Sequence, residues 1–227
     1  MEPYLAIDTS TSLGSAAVGR GDRLLAEVTV GVHARHSESL LPAIDFALRS
    51  AGITAAELAA VVVGGGPGSF TGVRVAGATA KGLVRALGIP LFAYSGLLAV
   101  AAGAGAGGAP VCALFDARRG EVYAACYRFP DEGGIETLLV PQAAALPNVL
   151  ERLAAPAPLY AGDGALRYRA AIEAAGGRVA PPYLAVPRAA ALLWLADAAP
   201  DAGRVETPAD WEPEYLRSAG AARGVAG

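Results

Sequence analysis

Five glycines fall within nine residues, Gly64-Gly65-Gly66-Pro67-Gly68-Ser69-Phe70-Thr71-Gly72, between the β-branched run Val61–Val63 and a helical pattern over Val73–Leu87. A continuous apolar strand suits a position buried on both faces, which parallel sheets reach through crossover helices. Strand, tight glycine turn and long helix together point to an α/β fold. The flanking pattern agrees. Tyr4–Asp8, Ser15–Gly19 and Leu24–Val30 read as an antiparallel meander, with turns at Thr9–Gly14 and Gly21-Asp22. Leu40, Leu41, Ile44, Ala47, Leu48 and Ala51 recur at helical spacing, with Ser39 as the expected N-cap, Pro42 in the first turn and Gly52 as the stop. Thr54-Ala55-Ala56-Glu57 has the form of a capping box. Leu91–Tyr94 is the next strand, and Ser95 caps a helix expected to reach about Ala102.

The link Gly103–Pro110 divides the chain into an N-terminal lobe, 1–104, and a C-terminal lobe, 109–227, whose last segment is free to pack back on the first. The second half again opens with a hairpin, Val111–Asp116 and Glu121–Phe129 around the loop Ala117-Arg118-Arg119-Gly120. That loop length sets Cys112 opposite Ala125 and Cys126 on the other face, while a one-residue shift would bring the thiols opposite each other. The cysteines lack CxxC spacing, and reduced, buried thiols are the expectation. Leu146–Leu153, Leu166–Ala175 and Ala189–Ala198 read as helices, and Leu159–Ala161 as a strand ending in Gly162-Asp163-Gly164. A hairpin followed by alternating helix and strand in each half suggests two related α/β lobes.

Composition narrows the function. The chain has 227 residues, 54% hydrophobic and 17% charged, with a net charge of −3 and Lys81 as its one lysine. Nucleic-acid binding through its own surface would call for a basic patch, and no basic cluster exceeds Arg118-Arg119. The N-terminus has no positive n-region, and Pro90, Pro110 and Gly103–Gly108 break the uncharged stretch from Ala86 to Phe115. A cytoplasmic protein without a membrane segment is expected.

The candidate chemistry is sparse. The glycine loop is open to two readings, a phosphate cradle at a helix start or a tight crossover that needs positive φ and close packing. It fails the Walker A pattern, because no Gly-Lys-Ser/Thr follows, and Thr71 stands where a dinucleotide loop has its third Gly. Asp8 with Thr9 and Ser10 forms a carboxylate beside a hydroxyl-rich turn, suited to Mg²⁺–nucleotide or equally to Asx and Ser/Thr turn bonds. His33 and His36 make two ligands without a third, so no metal is expected and a surface or capping role is preferred. Ser37 and Ser69 have no evident base. The small residues Ala76, Gly77 and Ala80 in Val73–Leu87 allow close helix approach, either by Leu40–Ala51 of the same chain or by a partner subunit.

Several segments fall in the order seen in one known family. They are Leu5-Ala6-Ile7-Asp8-Thr9-Ser10-Thr11, His36-Ser37-Glu38 with Leu40-Leu41-Pro42, Gly66–Arg74, and Ala80-Lys81-Gly82-Leu83. Asp116-Ala117-Arg118 with Gly120-Glu121-Val122-Tyr123, and Pro213-Glu214-Tyr215-Leu216-Arg217, complete the series. The chain resembles the TsaB (YeaZ) family, densely from residue 4 to about 128 and again near the C-terminus.

The resemblance implies the two-lobed actin-like, sugar-kinase-like fold, each lobe a mixed sheet flanked by helices. It implies a non-catalytic paralogue of the transferase TsaD that scaffolds the making of N6-threonylcarbamoyladenosine beside the anticodon in tRNAs reading codons that begin with A. TsaD and the ATPase TsaE are then the partners, a homodimer forms in their absence, and tRNA is met only through the complex. ATP and metal are used by the partner subunits, and this chain has neither catalytic residue, metal nor cofactor of its own. The implied interface lies on the first two long helices, at Leu40, Leu41, Ile44, Val73, Ala76, Gly77 and Ala80. Superfamily analogy maps a degenerate nucleotide site onto Asp8, Thr9, Ser10, Asp116, Arg118, Gly162 and Gly164. An active small-molecule kinase of the same superfamily is the alternative reading, and a glycoprotease-like peptidase a more distant one.

Overall fold

A computed structural model describes residues 2–31, 35–105, 108–131, 133–154 and 156–216. The first sheet is built from β1 (Tyr4–Asp8), β2 (Leu13–Arg20), β3 (Arg23–Gly31), β4 (Ala60–Gly64) and β5 (Leu91–Tyr94), in the order β3-β2-β1-β4-β5. β1 pairs antiparallel with β2 and parallel with β4, so the meander and the crossover meet on one central strand. Helices α1 (His36–Ala51) and α2 (Phe70–Leu87) pack on one face of this sheet, closing a core of Leu5, Ile7, Leu40, Ile44, Val61, Ala76 and Leu91.

Helix α3 (Gly96–Ala104) leads to the second sheet, running two residues into the glycine-rich link. That sheet comprises β6 (Val111–Asp116), β7 (Glu121–Arg128), β8 (Glu136–Ala145), β9 (Leu159–Ala161) and β10 (Arg178–Val179), ordered β10-β9-β6-β7-β8. Its pairings repeat those of the first sheet, with β6 antiparallel to β7 and parallel to β9. Two mixed five-stranded sheets flanked by helices are the expected architecture, and β8 and β10 are the strands that the sequence reading missed. Helices α4 (Leu146–Arg152), α5 (Asp163–Arg167) and α6 (Arg169–Ala174) belong to this half. Helix α7 (Ala189–Ala198) returns to the first sheet, where Leu192 and Leu195 join Ala6, Ala17 and Val62. A short α8 (Pro200–Gly203) follows, and an extended segment then crosses back over α2. No helix among the described residues is long and apolar enough to cross a membrane.

Three boundaries differ from expectation for identifiable reasons. α1 starts at His36, and the Ser39 hydroxyl bonds back to the Arg35 carbonyl at 3.1 Å instead of capping. This leaves Pro42 inside the helix, not in its first turn. α2 starts at Phe70, three residues before the expected Val73, because Ser69 caps it and accepts the Gly72 N–H at 3.3 Å. The β6–β7 loop is effectively three residues long. Ala117 N–H donates to the Glu121 carbonyl at 3.0 Å, and Arg118, Arg119 and Gly120 all take positive φ (65°, 55° and 80°). The register therefore shifts by one, and Cys112 sits opposite Cys126, not Ala125.

Candidate functional site

The glycine segment is a two-sided clamp. On one side it grips the β1–β2 hairpin: Ser69 N–H donates to the Ser10 carbonyl at 2.7 Å, and the Thr9 hydroxyl donates to the Gly72 carbonyl at 2.7 Å. A Cβ at Gly72 would overlap the Thr9 carbonyl oxygen, and one at Gly68 the Ser10 carbonyl oxygen. On the other side it holds the C-terminal segment, where Glu214 N–H donates to the Gly65 carbonyl at 2.7 Å. A Cβ at Gly66 would lie 2.6 Å from the Glu214 carbonyl oxygen. The geometric reading of these glycines accounts for each close approach.

Asp8 ends β1 inside this clamp. Its Oδ1 accepts both the N–H and the hydroxyl of Ser10, each at 2.8 Å, while buried Oδ2 has no hydrogen-bond partner among the described residues. Gly64 makes room for that oxygen, since a Cβ there would overlap it. Burial pushes the Asp8 carboxyl above its ordinary value, opposed by the Ser10 bonds and by His36. His36 is buried, not on the surface, and its Nε2 lies 2.8 Å from the Thr11 carbonyl oxygen. Its Nδ1 is also without a partner among the described residues. His33 lies outside the described residues, as does Arg217.

Between the two sheets opens a cleft of about 910 Å³, lined by Ser10, Thr11, Ser12, His36, Ser37 and the α2 start on one side. Phe115, Asp116, Ala117, Arg118, Tyr123 and Asp163 line the other. Of the nucleotide-binding candidates, Ser10, Asp116 and Arg118 thus face one space. Asp8, Thr9, Gly162 and Gly164 support the walls from behind. Gly162, at φ 110°, and Gly164 press against the backbone of Leu114–Asp116, where side chains would collide. Asp163, between them, accepts the Asp116 N–H at 3.1 Å, and burial raises its carboxyl above the ordinary value. Asp116 also bridges Arg167 at 3.2 Å and accepts the Arg118 N–H at 3.0 Å. Sequence reasoning missed His36 and Asp163 as cleft residues. The Asp between two close-packed glycines was the available signal for the second.

The interface candidates separate by exposure. Leu40, Ile44, Val73, Ala76, Gly77 and Ala80 are buried within this chain. The small-residue stripe of α2 receives the chain's own C-terminal segment, with the Trp211 ring 3.2 Å and the Pro213 ring 3.5 Å from a Cβ built at Gly77. Lys81 Nζ donates to the Trp211 carbonyl at 3.0 Å, and Arg74 Nε to the Tyr215 hydroxyl at 3.0 Å. Leu41 alone of the candidates is exposed (58%), and on the same helix so is Phe46 (57%). Phe70, at the start of α2, is 47% exposed and rests against Tyr215.

Comparison with known proteins agrees with this architecture. The family model of the tRNA N6-adenosine threonylcarbamoyltransferase TsaD matches residues 28–158. The tRNA threonylcarbamoyladenosine biosynthesis protein TsaB of Bacillus subtilis is 36% identical over 149 residues, 66% of this chain and 65% of that protein. Its Escherichia coli namesake is 38% identical over 138 residues, 58% of this chain and 57% of that protein. These sequence matches span less than two thirds of each relative's length. The structure of YeaZ from Pseudomonas aeruginosa superposes with a TM-score of 0.77 at 35% identity, covering 95% of this chain and all of that one. With the TsaD-type domain matched over more than half of its length and YeaZ superposing on nearly all of it, the chain belongs to the TsaB (YeaZ) family.

Proposed function

We propose that this chain takes part in tRNA threonylcarbamoyladenosine biosynthesis as a cytoplasmic docking subunit that supports a catalytic TsaD and performs no chemistry itself. The names of its relatives support the pathway. The observation that carries the docking role is the pair of large apolar side chains, Leu41 and Phe46, held in solvent on a helix whose other face is fully engaged. Large apolar groups exposed on a rigid element give a partner anchor points. Asp8 and Asp116 are engaged by Ser10 and by Arg167, which supports a structural use of both carboxylates. Lobes 1–104 and 109–227 then meet at the cleft. TsaE and tRNA join through the complex, ATP and metal act in the partner subunits, and the same helix face pairs two copies of the chain when TsaD is absent.

The test is Leu41→Asp with Phe46→Asp. Both positions are exposed, so the fold should hold while association with TsaD and modification of tRNA by the reconstituted system drop by about 100-fold, as expected for hot-spot loss near 3 kcal/mol. Unchanged association would refute the docking face. ATP turnover by the purified chain alone would instead favour the kinase reading, for which the cleft is the only support.

A further inference from the structure

Cys112 and Cys126 face each other on the two inner strands of the second sheet. The hydrogen bond from Ala117 N–H to the Glu121 carbonyl sets the class of every pair along this ladder. In an antiparallel ladder, bonded and non-bonded pairs alternate. Counting back from 117–121, the pairs 115–123 and 113–125 exchange hydrogen bonds, and Cys112–Cys126 falls in the closer, non-bonded class. Such pairs have Cα atoms about 4.5 Å apart, inside the range of about 4.4–6.8 Å that disulfides span. Both side chains lie in one buried cluster with Leu139, Val149, Tyr160 and Ile172, so they project from the same face.

The two thiols differ in access. β8 is the edge of the sheet, and its pairing with β7 is irregular on both sides of Cys126. An edge strand is paired on one side only, and a bulge disrupts its ladder locally, which lowers the cost of opening it. Burial raises both thiols, Cys112 further. Cys126 stands at about 11, with Arg128 pulling it down.

We propose that Cys112 and Cys126 form a redox pair, joined by low-molecular-weight disulfides into a cross-strand bond that staples the base of the Asp116–Glu121 hairpin. When β8 opens, Cys126 loses its proton and the thiolate attacks one sulfur of the small disulfide. A Cys126–S–S–R bond forms, and one thiolate leaves. Cys112, deprotonated in turn, attacks the Cys126 sulfur, forms the Cys112–Cys126 bond and expels the second thiolate. The protein gives up two electrons and two protons, and the small disulfide becomes two thiols. The staple stops the hairpin arms from fraying, and so holds Asp116 and Arg118 at the cleft wall.

The intact native chain is equilibrated in glutathione and glutathione disulfide, its free thiols are alkylated, and it is digested with trypsin. Cleavage at Arg85, Arg118, Arg119 and Arg128 places the cysteines in separate peptides, 86–118 and 120–128. The expected product is these peptides cross-linked and two hydrogens lighter than their sum. Cys112→Ala should collect a glutathione adduct at Cys126, and Cys126→Ala should react at Cys112 about tenfold more slowly, in line with its lower thiolate fraction and access. Amide exchange across 117–121 should slow several-fold in the oxidised chain. Alkylation of both thiols, adducts at both without the cross-link, or a cross-link that appears only after refolding from denaturant would each overturn the proposal.

Discussion

The β1–β2 and β6–β7 hairpins hold equivalent positions, each at the end of a central strand that pairs antiparallel on one side and parallel on the other. Each also ends in an aspartate, Asp8 or Asp116, and is packed by a glycine-bearing turn that follows the neighbouring parallel strand. Their surroundings diverge from there. The first hairpin is gripped by the glycine clamp along Thr9 and Ser10, and its carboxylate is fully buried. The second is held mainly at its base, by Asp163 and Arg167, while Arg118 and Arg119 adopt left-handed backbone at its tip. Identical topology thus delivers to the same cleft one wall gripped along its turn and one wall held at Asp116. The difference lies in how much backbone each glycine turn lays against its hairpin.

Substitutions can break this contrast, and the largest effect belongs to the clamp. Gly72→Ala drives a methyl into the Thr9 backbone, which cannot swing aside as a side chain does. A loss of about 3 kcal/mol is expected. Gly120→Ala, at positive φ but with open space around it, should cost only about 1 kcal/mol. Chemical denaturation of the two variants measures the gap, and equal losses would remove the contrast. Next comes Thr9→Val, which strips the 2.7 Å hydrogen bond from a buried carbonyl and should cost about 1–2 kcal/mol by the same measurement.

Asp8 sharpens the comparison through pH. With its folded pKa raised, the native state binds more protons than the unfolded chain between the ordinary carboxylate value and the raised one. The Asp8 contribution to stability is therefore complete at low pH and is lost as pH rises through that window. Asp8→Asn lacks this loss, so its stability relative to wild type should improve with pH, by at most about 1.4 kcal/mol per unit. Melting temperatures measured at several pH values check the sign, and a variant-minus-wild-type difference that falls with rising pH contradicts the burial argument. The smallest effect is expected at the other hairpin tip. Arg119→Gly relieves left-handed backbone at the cost of unfolded-chain entropy, for a net gain under about 1 kcal/mol. A loss of stability would mean that the arginine side chain holds the tip.

Much of the fold was legible because it rests on local signals. The β-branched run at Val61–Val63, the helix stop at Gly52 and the capping box at Thr54–Glu57 each record a preference that their own neighbours satisfy. The cleft was legible at Ser10, Asp116 and Arg118, where polar residues follow apolar strands. It was obscure at His36, because nothing near position 36 in the sequence reveals that the Thr11 carbonyl will be its partner. The neighbour of Ala76, Gly77 and Ala80 stayed open for a related reason. Small residues at helical spacing say that something approaches closely, without saying what.

By itself the sequence determined the alternation of strands and helices, the two-lobe repeat and the places where only glycine fits, since these follow from propensity, periodicity and backbone sterics within a few residues. Only the tertiary structure decided the cysteine register, through three left-handed residues in one loop. Only it decided what covers α2, where Trp211 comes from more than a hundred residues away to fill the stripe at Gly77. Such pairings depend on which distant surfaces bury the most apolar area together, and that sum is taken over the whole chain.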